Sequence, residues 1–157
     1  MKVFTDAHGH EWSIDIDVNT IRRVRDLAGC DLLDLDTVFK RLGTDTVLLC
    51  DVLYAVCQPV AEAKGVTSEA FGAALRGDAI DTATQALLQE LACFFPKRRR
   101  VLLESILARI EDVEERILAA ATARLESGDL EAEIEKALAS LKPSTSSPAS
   151  SESTPAP

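Results

Sequence analysis

Trp12, Ile14 and Ile16 alternate with Ser13, Asp15 and Asp17, which is the period of a half-buried strand. Residues 2–5 and 11–16 flank the polar turn Asp6-Ala7-His8-Gly9-His10, so the chain is expected to open with a two-stranded hairpin. Two strands alone are marginal in water, and the Trp12 face therefore needs an apolar partner. The helices that follow are the candidates.

From residue 19 the apolar period becomes helical. Asn19 is the expected cap of a short helix carrying Ile21, Val24, Leu27 and Ala28 and ended by Gly29. A second short helix covers Leu35 to Leu42 and stops at Gly43. Thr44 or Asp45 opens the most apolar stretch, TVLLCDVLYAVCQPVAEAKG, in which Val47, Leu48, Leu49, Val52, Leu53, Val56 and Cys57 occupy most of the helical circumference. Such a helix belongs in the centre. Pro59 has no amide hydrogen and is expected to kink or restart it before Gly65 closes it. Thr67 or Ser68 starts a short helix through Phe71 and Leu75. Asp78 is then the expected cap of a helix whose buried stripe reads Ile80, Thr84, Leu87, Leu88, Leu91 and Phe94.

Pro96 interrupts this pattern. From about Lys97 to Glu126 the chain has neither proline nor glycine, and Leu103, Ile106, Ile110, Val113, Ile117 and Ala120 recur in alternating steps of three and four. That is a heptad seam, and on a long arm it needs an intramolecular helix or another protein to cover it. Phe94 and Phe95 would point about 100° apart on a helix, so one is expected in the core and the other in an exposed patch. Phe95, Leu103, Ile106, Ile110, Val113 and Ile117 form the candidate partner-binding set. A last amphipathic segment carries Leu130, Ile134, Ala137, Leu138 and Leu141. Residues 143–157, PSTSSPASSESTPAP, have almost no apolar bulk and are expected to be disordered. The expected fold is mainly α: an N-terminal β-hairpin packed on a small helical bundle, then a long C-terminal helix, a short amphipathic helix and a disordered tail. The divisions fall at 1–96, 97–142 and 143–157.

Composition narrows the function. The 157 residues are 46% apolar, enough for one genuine core. With 26 acidic and 17 basic residues the net charge is −9, which opposes general attraction to nucleic acid or anionic lipid. Cys30, Cys50, Cys57 and Cys93 form no CxxC pair and have apolar neighbours, so buried free thiols in a reducing compartment are expected. The first residues, MKVFTDAHGHEW, contain no apolar signal-peptide core, and no uninterrupted apolar run reaches membrane-spanning length. A soluble intracellular protein is the expectation.

Candidate chemistry is sparse. His8 and His10 beside Asp6 and Glu11 raise a metal site at the hairpin tip, but exposed turn residues are the plainer reading. The paired carboxylates Asp15 with Asp17, Asp34 with Asp36, and Glu111 with Asp112, Glu114 and Glu115 read as solvated faces rather than an acid–base pair. No phosphate-binding glycine loop, GxSxG or HExxH occurs. The expectation is therefore no enzyme and no cofactor. Lys97, Arg98, Arg99 and Arg100 lack interleaved aromatics and follow the negative end of one helix, so electrostatic or protein-binding use is favoured over nucleic acid.

Three stretches, FTDAHGHEWSIDIDVNTIRRVRDLAGCDLLDL, VLLCDVLYAVCQP and FGAALRGDAIDTATQALLQELACFFPKRRR, together cover most of residues 4–100. In their succession of hairpin, apolar helix and turn they resemble the small tail assembly chaperones of long-tailed phages and prophages. The resemblance implies a non-enzymatic chaperone that coats the long, apolar, helical tape-measure protein before tail-tube subunits polymerise around it. It further implies work in the host cytoplasm and absence from the finished virion; many members of that family also have a longer, frameshifted product. The expected partners are the tape-measure protein and tail-tube subunits, with self-association through the long helix and no membrane or nucleic acid. The part after Arg100 is longer than the family's core pattern. A competing reading makes the chain a structural tail or head-tail connector component, and a third a DNA-binding regulator acting through residues 97–100.

Overall fold

The computed structural model describes residues 1–127 and 129–140, so Leu141 and the expected tail at 143–157 lie outside the described residues. A hairpin of β1 (Lys2–Thr5) and β2 (Glu11–Ile14) is followed by α1 (Val18–Ala28), α2 (Leu35–Leu42), α3 (Thr46–Lys64), α4 (Ser68–Ala74), α5 (Asp78–Phe94), α6 (Lys97–Glu126) and α7 (Asp129–Ser140). The class is that read from the sequence: mainly helical behind an N-terminal hairpin, with one long helix. One compact unit runs from Met1 to Ile110, and a second begins at Glu111.

In the first unit the strands are antiparallel, with Phe4 opposite Trp12. Trp12 and Ile14 are fully buried and Ile16 nearly so, which is the face that the alternation assigned to the core. Its apolar partner is an aromatic cluster. The Trp12 ring meets Phe71 of α4 edge-on at 4.8 Å between centroids, and Phe71 also meets Tyr54 of α3 at 5.6 Å and Phe4 at 6.5 Å. These contacts join both strands to α3 and α4, each adding directional preference to the area buried.

The strands also lie against α5. The expected stripe of α5 is buried at Leu87 and Leu91, but Ile80, Leu88 and Phe94 are only partly covered, and Ala79, Ala83, Ala86, Glu90 and Ala92 are inside instead. Buried Glu90 is paired with the amino group of Met1 at 2.8 Å, which meets the requirement that an interior charge have a partner.

α3 is the centre of this unit, adjoining α1, α2, α4, α5 and β2. By length and apolarity it could cross a membrane, yet Leu48, Leu49, Val52, Leu53, Ala55, Val56, Cys57 and Ala61 are buried against those neighbours. Val47, at its start, is exposed. The helix does not restart at Pro59 but continues through it from Thr46 to Lys64. Proline cannot donate to the carbonyl four residues back, which here belongs to Ala55. Arg23 of α1 supplies the missing donor: its Nε donates to the Ala55 carbonyl, and its Nη2 donates to that of Val56 at 3.1 Å.

The helix ends explain two further corrections. Asp17, not Asn19, caps α1, accepting from the Thr20 amide at 2.7 Å, and Leu27 is exposed. Gly77, not Asp78, precedes α5, because its φ of 58° is a conformation that side chains disfavour. Of the two candidates at each start, Asp45 caps α3 and Thr67 caps α4, and Gly65 closes α3 in the left-handed region with φ 67°. In the second unit the rest of α6 and α7 carry exposed Val113, Ile117, Leu118, Leu125, Ile134 and Leu138.

Arg23→Met is expected to lower unfolding stability by about 2 kcal/mol, since it orphans a part-buried carbonyl. In a Pro59→Ala background, where residue 59 regains an amide for Ala55, the loss should shrink by about 1 kcal/mol in a urea double-mutant cycle. Equal losses in both backgrounds would show that Arg23 does not act through this gap.

Candidate protein-binding surface

α6 starts immediately after Pro96, and its first turns are bound to the body by Leu103 and Leu107, which are 5% and 8% exposed. Four-residue spacing puts both on one face of the helix. The adjacent face is left open. Leu102, Leu103, Ile106 and Ile110 of α6 form one wall of a groove of about 580 Å³, and Leu33, Leu35 and Phe39 form the other. Asp34, Asp36, Lys40 and Arg99 also line it. An apolar groove is the surface into which an amphipathic helix lays its apolar face.

The proposed partner set divides along the chain. Ile106 and Ile110 are 40% and 39% exposed, Val113 49% and Ile117 62%, so these four remain available on α6. Leu103, at 5%, is taken up by the protein's own core. Phe95 is also 5% exposed and is a core residue rather than a partner contact. It ends α5 with an extended backbone (φ −81°, ψ 155°), so the helical spacing from Phe94 no longer applies. Its ring meets Phe94 edge-on and lies 4.9 Å from the Arg99 guanidinium, while Phe94 is the partly exposed member of the pair.

The basic cluster sits where the sequence put it, at the carboxyl end of α5. Arg100 Nη2 donates to the Cys93 carbonyl at 2.8 Å, and Arg99 covers Phe95. A cation that satisfies the last carbonyls of one helix offsets the unfavourable placement of four cations in the first turn of the next. Lys97 and Arg98 are exposed.

At the hairpin tip, His8 and His10 are exposed, but Asp6 between the strands is buried. Its Oδ1 accepts the His8 and His10 amides, each at 2.9 Å, and its Oδ2 accepts Trp12 Nε1 at 2.9 Å and lies 3.0 Å from His10 Nδ1. The carboxylate thus closes the turn and anchors the central tryptophan. Burial pushes the Asp6 pKa up, but the bonds from Trp12, His10 and His8 outweigh it and bring the value from 3.8 down to about 2. Among the described residues no group of three or more His, Cys, Asp or Glu side chains is placed to hold a metal ion.

The cysteines are free, as expected, but only Cys30 and Cys57 are fully buried; Cys50 is intermediate and Cys93 exposed. Burial pushes the Cys57 thiol up to about 12 and raises Cys30 and Cys50 as well. The heptad spacing of α6 carries no sign of the groove's second wall. Its signal was the pair Leu35 and Phe39, four residues apart on α2.

A carboxylate with a depressed folded pKa stabilises above its unfolded value and loses that contribution as pH falls towards the folded one. Asp6 should therefore contribute on the order of 2 kcal/mol at neutral pH, lost progressively below about pH 4. Asp6→Ala should lower the urea midpoint at pH 7 and flatten its fall between pH 4 and pH 2; an unchanged acid profile would refute this role. In native protein a disulfide exchange reagent should modify Cys93 first and Cys57 only on unfolding, read by mass spectrometry of digested peptides. No protein-family model, curated protein or solved structure matches this chain, so the uncovered apolar face of α6 and α2 carries the functional argument.

Proposed function

We propose that the protein is a non-enzymatic assembly chaperone of the long-tailed phage type, holding apolar helical segments of the tape-measure protein until tail-tube subunits polymerise around them. The observation that carries this reading is the continuation of the α6 seam, through Ile106, Ile110, Val113 and Ile117, past the point where Leu103 and Leu107 have met the core's needs. A helix pressed against such a seam buries apolar area without requiring one particular sequence, which suits a long client with many similar segments. The resemblance of residues 4–100 to tail assembly chaperones supports the same client.

The charge balance fits the role. A net charge of −9 opposes non-specific association of molecules that carry an adhesive surface, so client binding does not become general aggregation. In this reading the protein works in the host cytoplasm, leaves as the tube closes, and is absent from the mature virion. Leu35 and Phe39 would grip the client's far side where it enters the groove.

Co-expression and pull-down with the tape-measure protein tests the proposal. Ile106→Asp and Ile110→Asp place a charge on the seam at partly exposed sites, so they should leave the fold intact and reduce client capture at least tenfold. Undiminished capture by folded variants would remove the seam from the binding surface.

A further inference from the structure

We propose that α6 also pairs with the α6 of a second copy, as a parallel two-stranded coiled coil over residues 106–120. In heptad terms Leu103, Ile110 and Ile117 fall at a, and Ile106, Val113 and Ala120 at d. Leu103 is engaged in the protein's own core, so the free seam begins at Ile106. Arg124 stands at the next a position and ends the seam at its other side.

Charge selects both the occupant and its direction. Arg109 and Arg116 lie at g, on one flank of the seam, and Glu114 lies at e, on the other; all three are exposed. In a parallel pair each g residue faces the e residue five positions further along the other helix. Arg109 then meets Glu114 of the second copy, and symmetry makes this contact twice. In an antiparallel pair g faces g, which sets Arg109 against Arg109 or Arg116 of the second copy, with like charges in apposition. The flanks are thus complementary to this same helix running parallel. Where the pair reaches the body, Leu35 and Phe39 widen the apolar surface beside Ile106 and Ile110.

The dimer stands on α6 alone; that a client and a second copy exclude each other on this seam rests on the proposed function. Self-association would then shield the seam until a client displaces it.

Sedimentation equilibrium of the full chain tests the pairing. The expected mass is about 34 kDa, twice the 17.0 kDa of one chain. Arg109→Glu and Glu114→Arg should each weaken the dimer about tenfold by creating two like-charge contacts. The double variant Arg109→Glu/Glu114→Arg should restore it, and an equimolar mixture of the two single variants should form heterodimers in preference to either homodimer. Both positions are exposed, so the variants should retain the wild-type far-ultraviolet spectrum. A wild-type monomer at all concentrations, a trimer, or folded single variants that dimerise normally would overturn the proposal. If such a monomer still captured the tape-measure protein, the chaperone function would survive and only the pairing would fail.

Discussion

An α-helix that is apolar around most of its circumference has to be surrounded, and α3 imposes that requirement on the rest of the first unit. Its neighbours α1, α2, α4, α5 and β2 cover it from several directions. The hairpin has no independent stability to contribute, so it is held where Trp12, Phe71 and Tyr54 interlock at the edge of α3. Continuity of α3 through Pro59 matters for the same reason. A break there would turn Ala61 and the last turn away from the layer they complete, and the Arg23 guanidinium stabilises the carbonyl that proline leaves without a donor.

The same economy of burial accounts for the two characters of α6. Its first turns give Leu103 and Leu107 to the body, which anchors the helix. The remaining seam residues have no role in that core. Their exposure carries a solubility cost, and a chain that retains them needs a use for apolar surface. The acidic balance limits self-adhesion in general, while the placement of Arg109 and Glu114 on opposite flanks permits one particular form of it.

Polar groups inside the structure work by local closure. Asp6 gathers four donors and thereby orients Trp12, and Glu90 receives the Met1 amino group. Arg100 closes the end of α5 from the start of α6. Asp6 satisfies a buried indole N–H, Glu90 is a buried charge given a partner, and Arg100 satisfies a helix-end carbonyl.

Local periodicity determined the elements. The hairpin alternation, the all-round apolarity of α3, the glycine stops at Gly29 and Gly65 and the uninterrupted run of α6 are properties of neighbouring residues, and each was legible before any contact was known. The heptad positions of Ile106, Ile110, Val113 and Ile117 were equally legible. Tertiary packing alone decided which face of each element was spent. It turned Ala79, Ala83, Ala86 and Ala92 of α5 inward beside Leu87 and Leu91, and left Ile80 and Leu88 partly covered. It buried Phe95, because the chain leaves the helix at that residue. It assigned Leu103 to the core and joined α2 to α6 as two walls of one groove. Such outcomes depend on residues far apart in the chain, about which local periodicity carries no information.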